Sequence, residues 1–226
     1  MRMVIFPYCF VLFFITTNCE THKPDYSQEK FIYDVKYGIM KAGKLEITLK
    51  KTNNGFHIFC REYSNKVFSL FFKIDDEYEV ITDENFLPIF YRDKIQEGRY
   101  RRQARVHFRN GFAIYGKDSI RITPFTRDIF SAIFYLRRIG IKDKDTVIIH
   151  LHTYRENHVL KLSVSRIKEG KNSFLLVEPT VKNIPIFGKS GDLKIYFDKN
   201  YIPVKLKTKL AFGYITATLK EYKKVN

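Results

Sequence analysis

FIYDVKYGIMKAGKLEITLKKTNNGFHIFC, residues 31–60, is the stretch that decides the fold of this chain. Apolar side chains recur at every second position in two runs, at Phe31, Tyr33, Val35 and Tyr37 and again at Leu45, Ile47 and Leu49. Such alternation is typical of strands that bury one face of a sheet. The sequence Asn53-Asn54-Gly55 indicates a hairpin turn, after which Phe56, Ile58 and Cys60 share one face. The stretch therefore predicts an antiparallel sheet.

The strand pattern continues towards the C-terminus. Residues 99–109 show the clearest alternation of the chain, and further strands are predicted within residues 112–122 and 146–222. The composition agrees, because 16% of the 226 residues are aromatic and Phe and Tyr favour strands. We therefore predict a mainly β fold, a curved antiparallel sheet or open barrel with one main helix packed on or in it.

The helix is predicted at residues 124–138. Its apolar side chains recur at helical spacing, at Phe125, Ile129, Ala132, Ile133 and Leu136. Thr123 and Pro124 are typical of a helix start, and Gly140 is typical of a helix end. We expect this helix to cover an open face of the sheet or to plug its open end.

The N-terminus is typical of a secretory signal. Arg2 precedes an apolar run at residues 4–15 that is too short to span a bilayer. We predict a signal peptide at residues 1–18, a polar tether at residues 19–30 and a single β-rich domain at residues 31–226. The chain is therefore expected to be exported to the cell envelope.

Cys19 has two possible fates. It lies where a bacterial lipoprotein signal places its acylated cysteine, although Thr16, Thr17 and Asn18 fit that signal only in part. With ordinary cleavage upstream, Cys19 would instead be able to form a disulfide with Cys60 in an oxidising compartment. The mass of the mature N-terminal peptide separates lipidation from disulfide formation.

The net charge of +16 raises the question of an anionic partner. The basic residues are spread over the whole chain and export argues against DNA or RNA, so no nucleic-acid partner is expected. Anionic lipid headgroups, a membrane surface or surface polysaccharide are more natural counterparts for an envelope protein. The simpler interpretation is that the charge maintains solubility.

A strip of basic side chains lies on one face of residues 99–109. It contains Arg99, Arg101, Gln103, Arg105, His107 and Arg109 at two-residue spacing. Arg99, Arg101 and Arg105 are candidate ligands for phosphate or carboxylate groups. The alternative is a solvated outer face that pairs across the sheet with the acidic strand at residues 74–82.

No pattern for catalysis or for a cofactor is organised in the chain, and enzymatic activity is left open. His150 and His152 share one side of a predicted strand, as two zinc ligands can, but a turn at residues 156–157 would place His158 on the opposite face. We therefore predict no metal site. The consecutive acids at residues 75–77 are interpreted as a solvated sheet edge, because neighbouring strand residues point to opposite faces.

Three stretches together resemble the bacterial family called domain of unknown function 3108. They are YDVKYGIMKAGKLEITL at residues 33–49, RDIFSAIFYLRRIG at residues 127–140, and GDLKIYFDKNYIPVKLKTKLAFGYITATL at residues 191–219. In the second stretch the residues that match the family's helix are Asp128, Ser131, Tyr135, Leu136 and Arg137. Members usually carry Trp where this chain has Tyr196.

The resemblance covers nearly all of the chain after the predicted signal. It implies a protein of the periplasm, or an outer-membrane-anchored lipoprotein, of a Gram-negative bacterium, with a curved antiparallel sheet around a helix. The family has no established activity, so the resemblance transfers no catalytic residues.

The phenylalanine-rich segments lead to a functional hypothesis. Residues 66–73 form an apolar block whose periodicity does not separate a buried strand from a short helix. The candidate ligand-binding side chains are Phe68, Phe71, Phe72, Phe130 and Phe134. We expect a binding or carrier module for a lipidic or amphipathic ligand. The alternative is a structural or interaction protein of envelope assembly without a ligand cavity.

Overall fold

The computed structural model describes residues 27–181, 193–210 and 213–225. Its elements in chain order are β1 (Gln28–Tyr37), β2 (Met40–Thr52), β3 (Gly55–Ser64), α1 (Lys66–Ser69), β4 (Asp75–Thr82), β5 (Pro88–Glu97), β6 (Tyr100–Arg109), β7 (Phe112–Tyr115), β8 (Asp118–Arg121), α2 (Ile129–Arg138), β9 (Thr146–Thr153), β10 (Glu156–Glu169), β11 (Asn172–Pro179), β12 (Leu193–Phe197), β13 (Pro203–Leu210) and β14 (Gly213–Val225). The predicted mainly β class is confirmed. The signal peptide and Cys19 lie outside the described residues.

All the strands belong to one antiparallel sheet made of two meanders. Strands β1 to β8 pair in sequence order, as do β9 to β14, and β1 joins β14 in the middle. Tyr33 lies opposite Leu219 and Phe31 lies opposite Tyr222 at this central pairing. The two ends of the chain thus build the centre of the sheet, while β8 and β9 are its edges.

The alternation seen in the sequence separates an inner from an outer face. In β3, for example, Phe56, Ile58 and Cys60 are buried on the inner side. The predicted turn at residues 53–54 is present, since Thr52 pairs with Gly55. Apolar side chains from the inner faces of both meanders form one core around α2.

Helix α2 is shorter than predicted. Asp128 is its N-cap and accepts hydrogen bonds from the amides of Phe130 and Ser131, which together with the Ser131 side chain form a capping box. The segment before it instead follows β9, because the Arg127 amide bonds to the His150 carbonyl at 2.8 Å and the His152 amide bonds to the Arg127 carbonyl at 2.8 Å. Phe125 therefore lies outside the helix and is exposed.

The two edges of the sheet overlap instead of pairing. Tyr115 of β7 faces inwards, like the buried Ala113 two residues before it, and its hydroxyl lies 2.7 Å from Nε2 of His152 on β9. Arg155 contacts Asp118 at 2.8 Å, and the Asn157 side-chain amide donates to the Arg121 carbonyl. At this overlap Tyr115, on the inner side of β7, covers His152, on the outer side of β9, and the sheet is rolled but open.

Two local expectations differ from the structure, and one that was left open is resolved by it. The first strand begins at Gln28 and takes in residues 28–30, which were expected to belong to the tether. The block at residues 66–73 contains a four-residue helix, α1, without a buried residue. The turn between β9 and β10 lies at Tyr154 and Arg155, both with positive φ, although His158 does face away from His152 as expected.

Candidate functional site

The interior has a packed end and a hollow end. At the packed end the rings of Phe56 and Phe86 stack at 4.3 Å, and Phe134 of α2 lies against Phe86 and Phe31. Nearby, the buried Arg137 of α2 contacts the buried Glu29 of β1 at 2.5 Å. The Tyr222 hydroxyl donates to the same carboxylate. These contacts fix α2 against the central strands.

A cavity of about 170 Å³ lies at the other end of α2. Helix α2 contributes Ile129, Phe130 and Ile133, and the sheet contributes mainly aliphatic side chains, among them Val35 and Ile47. The Phe130 ring is 5.0 Å from the ring of Tyr78 on the opposite wall. Such an apolar lining with a few polar groups is typical of ligand sites.

The acidic groups of this cavity are three carboxylates. Glu62 of β3 and Asp76 of β4 are paired residues on the inner face, and Glu97 at the end of β5 lines the same cavity. Asp76 is 2% exposed, and its Oδ1 accepts a hydrogen bond of 2.7 Å from the Gln96 amide. Three acidic side chains thus meet at one end of an apolar space.

Glu62 is the carboxyl group with the clearest change in acidity. Burial raises its pKa to about 7, and the negative charges of Asp76 and Glu97 add to the effect. The neighbouring Cys60 thiol has a pKa well above its usual value, because it is buried and lies near Glu62 and Asp76. Near neutral pH, Glu62 is therefore able both to donate and to accept a hydrogen bond.

A second cavity of about 350 Å³ adjoins the first. It shares Val35, Glu62, Ile74, Glu97 and Ile215 with the inner cavity. Its outer part is lined by Tyr37, Ala42, Phe68 and Phe72. The shared residues place Glu62 and Glu97 where the two cavities meet, while Asp76 lines the inner cavity alone, and we interpret the second cavity as the mouth of the first.

A charged pair stands behind the inner wall. The Arg102 guanidinium lies 3.0 Å from the buried Asp93 carboxylate and 4.3 Å from the centre of the Tyr154 ring, which lines the cavity. Burial raises the pKa of Asp93, and the positive charge of Arg102 acts against that rise. The opposite charges of Arg102 and Asp93 neutralise each other. The charge that faces the cavity therefore comes from Glu62, Asp76 and Glu97.

The predicted phenylalanine residues do not form one site. Phe130 lines the inner cavity, and Phe68 and Phe72 line the mouth. Phe71 is exposed to solvent, and Phe134 belongs to the packed end. The structure thus brings together three of the five predicted side chains.

The arginine strip is remote from this interior. Arg101 and Arg105 are exposed on the outer face of β6, whereas Arg99, predicted to begin this strand, is exposed in the turn before it. The expected pairing with the acidic strand is wrong, because β5 lies between β4 and β6 and Arg105 is opposite Arg92. On β4, Glu79 contacts Arg92 at 2.9 Å and Asp75 contacts Arg61 at 3.1 Å.

The predicted solvated edge is also wrong. Strand β4 is interior to the sheet, and Asp76 points to the core while its neighbours Asp75 and Glu77 point outwards. The carboxylate pair forms across strands, between Asp76 and Glu62, and alternation within a single strand does not show it. The available signal was the inward position of Glu62 after Phe56, Ile58 and Cys60.

The two histidines considered as zinc ligands, His150 and His152, instead make hydrogen bonds where the edges of the sheet overlap. Nδ1 of His152 is 2.7 Å from Asn157 Oδ1, its Nε2 faces the Tyr115 hydroxyl, and Nδ1 of His150 is 3.0 Å from Thr123 Oγ1. Among the described residues, no group of three His, Cys, Asp or Glu side chains could hold a metal ion.

Cys60 is a buried free thiol, and its proposed partner Cys19 lies outside the described residues.

The rolled sheet, the internal helix and the cavity define an open β-barrel-like protein. The family model described as "Protein of unknown function (DUF3108)" matches residues 32–220. The chain belongs to this family. The match confirms the resemblance seen in the sequence. No curated protein matches the chain.

The solved structures that match this chain include two proteins of other families. One is a β-barrel-like protein of the domain of unknown function DUF1849 from Brucella abortus, with a TM-score of 0.60 and 11% identity over 89% of this chain and 99% of that chain. The other is a DUF1089 family protein from Pseudomonas aeruginosa, with a TM-score of 0.45 and 12% identity over 74% of this chain and 90% of that chain. At 11% identity, the similarity to the Brucella protein concerns the fold alone.

Within the part of the chain that the structure describes, neither helix has the length and apolar composition needed to cross a membrane.

Proposed function

We propose that this protein is an exported cell-envelope protein that binds or carries a lipidic or amphipathic ligand inside its open barrel. The observation that carries the proposal is the apolar cavity between α2 and the sheet, which shares wall residues with a wider mouth. The proposed location rests on the signal-like residues 1–18.

The lining favours a ligand with an apolar body and a polar end. The inner cavity is walled by side chains such as Ile47, Phe130 and Ile133, which favour hydrocarbon. Glu62 and Glu97, where the two cavities meet, and Asp76 in the inner cavity would contact the polar end. A hydroxyl, amide or amine can donate hydrogen bonds to these carboxylates, whereas an ionised carboxylate or phosphate would be repelled by them.

The first test is occupancy of the cavity. The protein should be purified after export and its bound small molecules extracted and identified by mass spectrometry. Affinity is then measured by displacement of a fluorescent apolar probe such as an anilinonaphthalene dye. We expect a copurified amphipathic molecule and probe binding that saturates at one site.

The variant Ala217→Leu tests whether the probe occupies this cavity. Ala217 is buried and lines the inner cavity, so the larger side chain would take up part of its volume. We expect the probe affinity to fall by about tenfold, which corresponds to ~1.4 kcal/mol. The control Thr218→Leu places the same side chain on the exposed outer face of the same strand.

Equal probe binding by wild type, Ala217→Leu and Thr218→Leu would contradict a ligand site in this cavity. Thermal unfolding of both variants confirms that they fold, because overpacking alone typically lowers stability by 1–3 kcal/mol. Absence of any bound molecule or saturable probe binding would favour the alternative of a structural or interaction protein of the envelope.

A further inference from the structure

The mouth of the cavity carries an exposed cluster of large apolar side chains. We call this cluster the apolar tip and define it as Ile39, Met40, Val67, Leu70 and Phe71. Ile39 is 96% exposed, and Leu70 and Phe71 are each 83% exposed. Isolated apolar residues on a surface are ordinary, but contiguous apolar patches on soluble proteins mark interaction sites.

The two segments of the tip are joined by hydrogen bonds. The Asn65 amide donates to the Ala42 carbonyl at 2.8 Å, and the Asn65 side-chain amide donates to the Lys41 carbonyl at 2.7 Å. Met40 directly precedes Lys41 and Ala42, and Val67 follows two residues after Asn65. The turn between β1 and β2 therefore lies beside α1 at the same end of the barrel.

The conformation of α1 holds its apolar side chains outwards. Asn65 Oδ1 accepts a hydrogen bond from the Phe68 amide, and Ser69 Oγ donates to the Asn65 carbonyl at 2.7 Å. Phe72 packs against Gly98, where an added Cβ would lie 2.9 Å from its ring. With Phe68 and Phe72 turned towards the mouth, Leu70 and Phe71 point into solvent.

The two chain segments that form the tip carry basic charge only, whereas Glu46 and Asp75 lie near Ser69 and Lys73, and Glu62 and Glu97 line the mouth. Residues 36–44 and 65–73 together contain Lys36, Lys41, Lys44, Lys66 and Lys73 and no Asp or Glu. Lys41, Lys66 and Lys73 are exposed. Large apolar side chains surrounded by lysines are typical of elements that lie in the interface of an anionic bilayer. The apolar groups enter the headgroup region and the lysines contact lipid phosphates.

We propose that the apolar tip docks this protein on the surface of an anionic phospholipid bilayer. Val67, Leu70 and Phe71 insert among the headgroups, and the flanking lysines face the phosphates. Because Phe68 and Phe72 line the mouth beside the tip, docking turns the mouth towards the bilayer. The conclusion that this orientation serves ligand transfer rests on the proposed function, whereas docking itself does not.

Vesicle cosedimentation tests the docking. Protein purified after export with Cys19→Ser, which removes acylation at that position, is mixed with phosphatidylcholine vesicles with or without phosphatidylglycerol. We expect binding to the anionic vesicles that weakens as salt is raised. All variants share the same N-terminus, so differences between them report on the substituted surface.

The decisive variant is Leu70→Asp/Phe71→Asp. Its matched control is Ile148→Asp/Val159→Asp, which alters two large apolar side chains that are 60% and 63% exposed on β9 and β10. We expect the tip variant to lose at least about tenfold in vesicle partitioning and the control to retain it. Equal losses would assign the effect to net charge and overturn the proposal, as would full retention in both variants.

The contributions of the tip lysines and of the arginine strip to vesicle binding can be separated in the same way. Lys66→Gln/Lys73→Gln should weaken binding to anionic vesicles by about tenfold or more, since each lysine near such a surface contributes roughly 1 kcal/mol. Arg105→Gln/Arg109→Gln removes the same charge from the exposed strip on β6 and should have little effect. The reverse order would assign membrane binding to the arginine strip and overturn the proposal.

A fluorescence measurement avoids charged substitutions. The chain contains no Trp, so Phe71→Trp introduces a single reporter at the tip, and Val159→Trp introduces one on the opposite meander. We expect anionic vesicles to shift only the Phe71→Trp emission to shorter wavelength. Absence of that shift contradicts insertion. Self-association that depends on Leu70 and Phe71 in vesicle-free solution would identify a second copy as the partner and overturn membrane docking.

Failure of docking and failure of ligand binding are distinguishable. Probe displacement from the cavity needs no vesicles, and the Ala217→Leu variant leaves the tip intact. Loss of probe binding with normal vesicle binding would contradict the proposed function alone. Normal probe binding without vesicle binding would contradict the docking surface alone.

Discussion

Glu62 and Asp76 lie opposite each other on β3 and β4, and both face the interior of the open barrel. The pair sets two acidic groups in the wall of the inner apolar cavity, and Glu62 also lines the mouth. An ionised carboxylate in such a place lacks full hydration, and a second one nearby repels it. The stability of the folded protein should therefore depend on the ionisation of Glu62, and so on pH.

Glu62→Gln is expected to stabilise the protein at pH 8 and to have little effect at pH 5. The pKa of Glu62 rises from 4.5 to about 7 on folding, so between these values the folded chain holds a proton that the unfolded chain has lost. The folded state therefore loses stability as pH rises through this window. The uncharged amide of the Glu62→Gln variant does not ionise, so this variant does not lose that stability.

The measurement is urea unfolding of wild type and Glu62→Gln at both pH values. Glu84→Gln replaces an exposed carboxylate and serves as the control. A gain for Glu62→Gln that is the same at pH 5 and pH 8 would show that ionisation of Glu62 is not its cause.

His152 is expected to make the opposite contribution. Burial lowers its pKa from 6.5, so as pH falls below 6.5 the unfolded chain takes up a proton that the folded chain resists. The stability contributed by neutral His152 is thus lost on acidification. His152→Gln should reduce the loss of unfolding free energy between pH 7 and pH 5.

The contributions of Glu62 and His152 to the unfolding free energy change over overlapping pH ranges and in opposite directions. Each contribution is therefore measured as the difference in unfolding free energy between the variant and the wild type. His107→Gln on the exposed face of β6 is the control for His152. An unchanged acid dependence in His152→Gln would exclude the contact between Tyr115 and His152 as an acid-sensitive part of the overlap.

Glu29→Gln should strongly destabilise the fold. It removes the negative charge that faces Arg137 in a buried pair at 2.5 Å. Breaking such a pair from one side typically costs about 3–5 kcal/mol. Lys30→Gln, the control on the same strand, breaks the more exposed contact with Glu46 at 3.0 Å and should cost less than about 1 kcal/mol. Chemical denaturation gives both values, and similar losses would contradict the special role of the buried pair.

Gly43→Ala should disturb the pairing of β2 with β3. A Cβ at this position would lie 2.0 Å from the Tyr63 carbonyl oxygen and 2.8 Å from the Ser64 Cα. Both are backbone atoms, so the strands would have to separate. We expect a loss of ~3 kcal/mol of unfolding free energy, at the upper end of the usual range for point substitutions. Thermal unfolding measures it, and a loss below ~1 kcal/mol would show that the strands adjust easily.

The sequence predicted local structure better than it predicted the site. The alternation at residues 31–60 and the turn at residues 53–54 specified strands and a hairpin correctly, because strand and turn preferences act over neighbouring residues. The start of α2 was misplaced, because the contact of Arg127 with β9 and the buried Asp128 cap outweigh the local signal of Thr123 and Pro124. Tertiary contacts decided that boundary.

By itself, the sequence determined a mainly antiparallel sheet with one main helix, since periods of two and of about 3.6 residues are written in the chain. Only the tertiary structure decided that β1 pairs with β14, that the edges overlap at Tyr115 and His152, and that Glu62 meets Asp76. It also decided that Leu70 and Phe71 remain exposed. Alternation shows which residues share a face, whereas burial and charge pairing depend on what distant segments place opposite that face.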